Sequence, residues 1–150
     1  MKILVCGLPD SGKTWLAMRI AGYLQCPHFN ADKVRAMADD WRFDKKARHR
    51  QANRLGNMAD FEHSPAGGNA PVTVTDFVCP TEVTRALFNP GLIVWLNTKE
   101  NETPYADTKA MWEDPLEAQV VVESFMSDEE IRTLCRKIVR DYGIQIKHEI

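Results

Sequence analysis

Apolar and polar positions fall in alternating blocks along this chain. Ile3-Leu4-Val5-Cys6 is a short continuous apolar run, which predicts a buried strand over Lys2 to Leu8. Leu16, Ala17, Ile20 and Leu24 then recur at helical spacing and predict a helix from Lys13 to about Leu24. A short second strand is expected near Pro27 to Asn30, followed by a helix from about Asp32 to Asp39 and a longer one from Asp44 to His63. Ser64 to Pro71, built largely from Ser, Pro, Gly and Asn, reads as a loop. The β-branched alternation of Val72 to Val78 predicts a third strand, and Thr81 to Phe88 a short helix after it. Leu92 to Leu96 and Ala118 to Val122 read as two further strands. Ser127 and Glu130 form a capping box for a last helix whose apolar positions are Ile131, Leu134, Cys135, Ile138 and Val139.

Strands alternating with helices imply an α/β fold, a three-layer sandwich with a central parallel sheet of about five strands and helices on both faces. Ligands gather at the carboxyl ends of the strands in such sheets. The 150 residues suit one domain, 1–150. The polar stretch 97–115 lacks clear periodicity and lies between two strands, where a lid over substrate and an ordinary surface loop fit equally well.

Composition narrows the class. A net charge of −2 with 27% charged residues describes an ordinary globular protein and argues against a stable nucleic-acid partner. No apolar run has the length of a secretory signal or a membrane span, so a cytoplasmic location without membrane association is the default. Cys6, Cys26, Cys79 and Cys135 lie far apart with no C-x-x-C pair, which suits a reducing compartment. His28, His49, His63 and His148 show no metal-ligand spacing and read as structural or solvated.

The strongest chemical signal is Gly7-Leu8-Pro9-Asp10-Ser11-Gly12-Lys13-Thr14, which spells G-x-x-x-x-G-K-[ST] between the first strand and the first helix. The glycines let the backbone curl so that successive N–H groups point at phosphate oxygens, and Lys13 reaches the β- and γ-phosphates. Thr14 opens the helix and offers a hydroxyl to Mg²⁺ where the helix dipole adds positive charge. ATP and Mg²⁺ are the cofactors this loop calls for.

Phosphoryl transfer further needs neutralised charge and an acceptor hydroxyl held in line. Asp32, just after the second strand, suits a catalytic carboxylate that takes the acceptor's proton or holds a magnesium-bound water; the N-cap of its helix is the competing account, and the two roles do not exclude each other. Asp76, near the end of the third strand, suits a carboxylate that holds Mg²⁺ through water, or a plain helix cap. Between Arg42 and Arg54 six Lys or Arg stand against one Asp. Arg48, Gln51, Leu55 and Met58 share one helical face, so Arg48 and Gln51 lean inward, and with Arg35 they offer an anion site; an exposed, merely solubilising basic helix is the competing account. Trp41, Phe43 and Trp112 are candidates to stack on a nucleobase or to fill the core, while Trp15 and Trp95 read as core. The lid candidate Tyr105-Ala106-Asp107-Thr108-Lys109 contains no arginine.

Taken in order, these motifs resemble the adenylyl-sulfate kinases, especially the small versions of bacteria and their viruses, from Lys2 to about Pro115. The resemblance rests on the phosphate-binding loop, Asn30-Ala31-Asp32-Lys33-Val34-Arg35, Trp41-Arg42-Phe43-Asp44, Arg48 to Arg54, Asp76-Phe77-Val78-Cys79-Pro80 and Tyr105-Ala106-Asp107-Thr108. It implies a P-loop kinase with Asp32 and Lys13 in catalysis and Arg35 and Arg48 on the sulfate and phosphate of the acceptor. Phe43 would lie against the acceptor's adenine, Gln51 would touch the same ligand, and Trp112 lies near the family's second adenine-stacking aromatic. Cys79 stands where many members carry a serine once discussed as a phosphorylated intermediate, so direct transfer is implied. The expected partner is a small anionic nucleotide, with a homodimer left open. The rival expectations are a P-loop kinase acting on another nucleoside, nucleotide or polynucleotide hydroxyl, and a nucleotide-binding switch that transfers nothing.

Overall fold

A computed structural model describes residues 1–98 and 105–150 of the chain. The elements run β1 (Lys2–Gly7), α1 (Lys13–Leu24), β2 (His28–Asn30), α2 (Ala31–Ala38), α3 (Lys45–His63), β3 (Thr73–Asp76), α4 (Glu82–Phe88), β4 (Leu92–Leu96), α5 (Ala106–Met111), β5 (Val120–Val122) and α6 (Asp128–Tyr142). The five strands form one sheet in the order β2-β3-β1-β4-β5, every pairing parallel. This is the α/β sandwich that the alternation of elements predicts.

The apolar runs split between two layers because successive side chains of a strand point to opposite faces. Ile3 and Val5 of β1, Val74 of β3 and Leu92, Val94 and Leu96 of β4 pack with Leu16, Ile20 and Leu24 of α1 and Ile131, Cys135 and Ile138 of α6. Leu4, Cys6 and Ile93 face the other way and pack with Val34 of α2, Ala52 and Leu55 of α3 and Phe88 of α4. Strands buried on both faces read as continuous apolar runs, which is why β1 and β4 were legible.

Element ends carry local reasons. Asn30 caps α2 by accepting from the Lys33 amide, so the helix begins one residue before Asp32 and the capping account of Asp32 falls. Asp44 caps α3 through the Ala47 amide, and Thr81 caps α4, which removes the capping account of Asp76. The capping box of Ser127 and Glu130 opens α6, and Gly143 ends it in the left-handed conformation at φ 60°. Strand β3 is shorter than its β-branched run.

The stretch 97–115 holds the six-residue helix α5, a feature that its polar composition does not announce. The part of the lid candidate at 99–104 lies outside the described residues. Trp15 corrects the expectation of a core tryptophan: it is half-buried, with the Arg19 guanidinium 4.1 Å from its ring and Phe125 5.0 Å away. Trp95 is also only partly buried, against the second apolar layer.

Candidate active site

The loop between β1 and α1 follows the path its glycines require. A Cβ on Gly7 would stand 2.7 Å from both the Leu96 carbonyl oxygen and Ser11 Oγ, so no other residue fits beside β4. Gly12 adopts φ 97°, open only to glycine at low cost, and Asp10 takes the left-handed conformation at φ 65°. The Thr98 hydroxyl donates to the Ser11 carbonyl at 2.8 Å and ties the end of β4 to the loop. Lys13 Nζ folds back to the Leu8 carbonyl at 3.0 Å. Burial lowers the pKa of Lys13 from its ordinary value, and the Asp76 carboxylate opposes that shift.

Asp76, 2% exposed at the end of β3, accepts the Thr14 hydroxyl at 2.8 Å. The amide of Asn30 donates at 3.1 Å to both Thr14 Oγ1 and Asp76 Oδ1. Parallel register explains the meeting, since Asn30 lies directly opposite Asp76 on the neighbouring strand. Thr14 and Asp76 supply hard oxygen donors beside a phosphate loop, a set suited to Mg²⁺ bound partly through water. A carboxylate that already holds the threonine hydroxyl in place fits that ion.

A cleft of about 1160 Å³ opens at the carboxyl ends of the strands. Lys13, Thr14 and Asp76 line one part of it, Asp32 and Phe43 another, and Tyr105 and Thr108 the α5 side. A smaller recess of about 60 Å³ adjoins it, lined by Asp32, Arg35, Phe43, Arg48, Gln51 and Cys79 among others. Asp32 borders both cavities, is exposed, and makes no hydrogen bond or ion pair with another described side chain.

Arg35 and Arg48 are 4% and 7% exposed. Their hydrogen bonds go to uncharged oxygens: Arg35 donates to the Asp40 and Arg42 carbonyls, and Arg48 to the Phe43 carbonyl and the Thr108 hydroxyl. Among the described residues neither has a carboxylate partner. The two guanidinium carbons instead lie 4.3 and 5.5 Å from the centre of the Phe43 ring, close enough for cation–π attraction. Burial lowers both pKa values from the ordinary arginine value; for Arg35 the neighbouring Asp40 opposes this, and Arg48 adds to it. Two buried, adjacent cations with no carboxylate hydrogen-bonded to either among the described residues are a pair suited to an anion, although Asp32 lines the same recess.

Three other arginines of the basic stretch are paired locally. Asp40 accepts from Arg50 at 3.3 Å and from Arg54 at 3.1 Å, and Arg42 pairs with Asp44 at 3.0 Å. Gln51 is buried, donates to the Ala31 carbonyl at 3.0 Å and accepts from Arg54 at 2.6 Å. It thereby braces α2 against α3 at the back of the recess. The buried Arg85 donates to the carbonyls of Cys79 and Glu113 and pairs with Glu117, holding the loop before α4 in place. Cys79 there adopts φ 47° and is wholly buried, with its thiol pKa pushed well above the ordinary value.

Trp112 departs from its expected place. It lines neither cavity; its ring centre lies 6.5 Å from that of Trp95, and its indole donates to Asp114 at 2.7 Å. The cause is local: α5 ends at Met111, and Trp112 continues in extended backbone toward the apolar layer. Sequence reasoning also missed the roles of His28, Asn30, Asp40 and Thr108. Only Asn30, a favoured capping residue two positions before Asp32, carried a readable signal.

A third cavity, of about 320 Å³, lies on the other side of the loop and is lined by Gly12, Trp15, Leu96, Thr98, Phe125 and Met126 among others. No helix among the described residues is long and apolar enough to cross a membrane.

This sheet order and loop define the fold of P-loop small-molecule kinases. Solved structures agree. The protein APE1195 is similar over 93% of this chain and 95% of its own, at 21% identity and a TM-score of 0.75. The APS kinase CysC of Mycobacterium tuberculosis, in complex with AMPPNP and APS, matches over 95% and 96% of the two chains at 17% identity and a TM-score of 0.72. A gluconokinase from Sinorhizobium meliloti 1021 matches over 97% of each chain at 18% identity and a TM-score of 0.66. No family model and no curated protein matches the chain.

Proposed function

We propose that this protein is a P-loop kinase that transfers the γ-phosphoryl group of MgATP to a hydroxyl of a small anionic nucleotide, foremost the 3′-hydroxyl of adenylyl sulfate. One observation carries the reading: Arg35 and Arg48, buried and without hydrogen-bonded acid partners among the described residues, line a recess that adjoins the cleft of the phosphate loop, with Asp32, Phe43 and Arg48 bordering both. A nucleotide switch has no use for a second anion site beside the first. The APS kinase of similar fold was solved with a nucleotide and APS together, which supports two ligands in one cleft of this shape.

The chain's own groups divide the work. Loop amides and Lys13 hold the donor phosphates, and the apolar pocket beside Gly12 and Trp15 takes the donor's base. Arg35 and Arg48 fix the acceptor's oxyanion from behind. Asp32, exposed to the cleft and without a hydrogen-bonding side-chain partner among the described residues, accepts the proton of the acceptor hydroxyl as that oxygen attacks. Thr14 and, through water, Asp76 would hold Mg²⁺, which would supply neutralising charge for the donor phosphates. Cys79, buried and with its thiol pKa raised, carries no phosphoryl group, so transfer is direct.

The displaced Trp112 favours a second reading, a kinase whose acceptor carries the same oxyanion on another nucleoside, nucleotide or polynucleotide. A coupled assay with ATP separates them: adenylyl sulfate supports turnover under the first reading, and other hydroxyl acceptors under the second. Asp32→Asn retains nucleotide affinity and loses turnover by on the order of 10²- to 10⁴-fold. Full activity in that variant removes Asp32 from catalysis.

A further inference from the structure

His28 shows no ligand spacing in the sequence, yet its side chain ends at the metal site. Its Nε2 lies 2.5 Å from Asp76 Oδ2, with side-chain exposures of 18% and 3%. Asp76 spends its other oxygen, Oδ1, on Thr14 and Asn30. His28 is thus the one partner of Oδ2 among the described residues.

The strand geometry makes this arrangement specific. His28 and Asn30 are two apart on β2, so both side chains leave the same face of the strand. Asn30 lies opposite Asp76 and His28 opposite Val74, which places the imidazole on the diagonal to the carboxylate. A carboxylate held through one oxygen still turns about its last torsion. One held through both has a fixed plane, and Oδ1 then stays aimed at Thr14 and whatever Thr14 binds.

We infer that His28 is a positioning residue for the metal site: its Nε2–H holds Asp76 Oδ2, so that Oδ1 keeps the Thr14 hydroxyl, and the water through which Asp76 would reach Mg²⁺, in a preformed arrangement. The inference rests on the P-loop reading of Gly7 to Thr14 and is independent of the acceptor's identity. Partners that orient a metal's ligands commonly govern metal affinity by roughly 10- to 100-fold. A role confined to tying β2 to β3 would alter stability and leave metal affinity alone.

The test measures binding rather than turnover. Calorimetry of the full chain with AMPPNP gives the nucleotide affinity in EDTA and the Mg²⁺ concentration that half-saturates its enhancement. His28→Leu should raise that Mg²⁺ concentration by about tenfold, with the metal-free affinity within about twofold of wild type, which also reports an intact fold. His28→Gln, whose amide reaches a similar point with an N–H, should recover most of the difference. Unchanged Mg²⁺ dependence in His28→Leu, or equal defects in the Leu and Gln variants, would overturn the inference. Failure of the wild type to bind AMPPNP would instead overturn the nucleotide site itself, and this inference with it.

Discussion

Arg48 donates through Nη2 to the Thr108 hydroxyl at 2.7 Å, a buried hydrogen bond between residues 60 apart in sequence. It joins α3 to α5, so the guanidinium assigned to the acceptor also anchors the helix that forms the far wall of the cleft. On that assignment, the position of the wall and the binding of the acceptor should be linked.

Thr108→Val keeps the shape and deletes the acceptor oxygen. A buried, charged N–H then lacks its partner, which costs on the order of 1–3 kcal/mol. Urea unfolding should show a lower midpoint with an unchanged slope, and the acceptor's KM should rise because the guanidinium fork is no longer held. An unaltered midpoint would mean that water replaces the hydroxyl without loss.

Arg35→Ala and Arg48→Ala should each raise the acceptor's KM by roughly 10- to 100-fold, the worth of a hydrogen bond to a charged group. The proposed ATP site is the loop around Lys13 rather than the recess, so the KM for ATP should stay close to the wild-type value. Steady-state kinetics with each substrate varied in turn gives both values. Parallel losses for the two ligands would contradict the separate sites.

Two glycines make a paired test of the loop. Gly7→Ala forces a Cβ to 2.7 Å from a strand carbonyl that cannot withdraw, so nucleotide binding should be lost and stability lowered. Gly22 lies in α1 with nothing within 4 Å of the point where a Cβ would stand, and Gly22→Ala should stabilise by about 0.5–1 kcal/mol. Thermal melts with and without AMPPNP distinguish the two outcomes.

Asp40 sets an acid limit. Hydrogen bonds from Arg50, then Arg54, lower its pKa from 3.8 to about 2. A carboxylate with a depressed folded-state pKa stabilises above its unfolded value, and that contribution fades as pH falls from about 4 toward 2. Asp40→Asn should accordingly lower the Tm at neutral pH and narrow its gap to wild type as the pH approaches about 2. A gap constant across that window would show that the carboxylate's charge is not what matters.

Asp40 also shows where sequence reading stops. Six basic residues against one acid between Arg42 and Arg54 looked like a surplus, yet Arg50 and Arg54 are satisfied by an aspartate just outside that window, leaving Arg35 and Arg48 as the cations of the recess without an acid partner among the described residues. Trp112 followed the same logic in reverse, joining Trp95 where the sequence suggested a ligand.

By itself the sequence determined most of the alternating elements and the phosphate loop, because periodicity, caps and glycine conformations are local physics acting over a few residues. Only the tertiary structure decided that His28 reaches Asp76 across 48 positions, that Arg48 meets Thr108 and that Asp40 quiets two arginines. The first pairing depends on which strands lie side by side and in what register, and the others on how α3 packs against α5 and the loop after α2. Parallel crossovers bring distant segments together in this way, and no local pattern in the chain encodes the contacts that result.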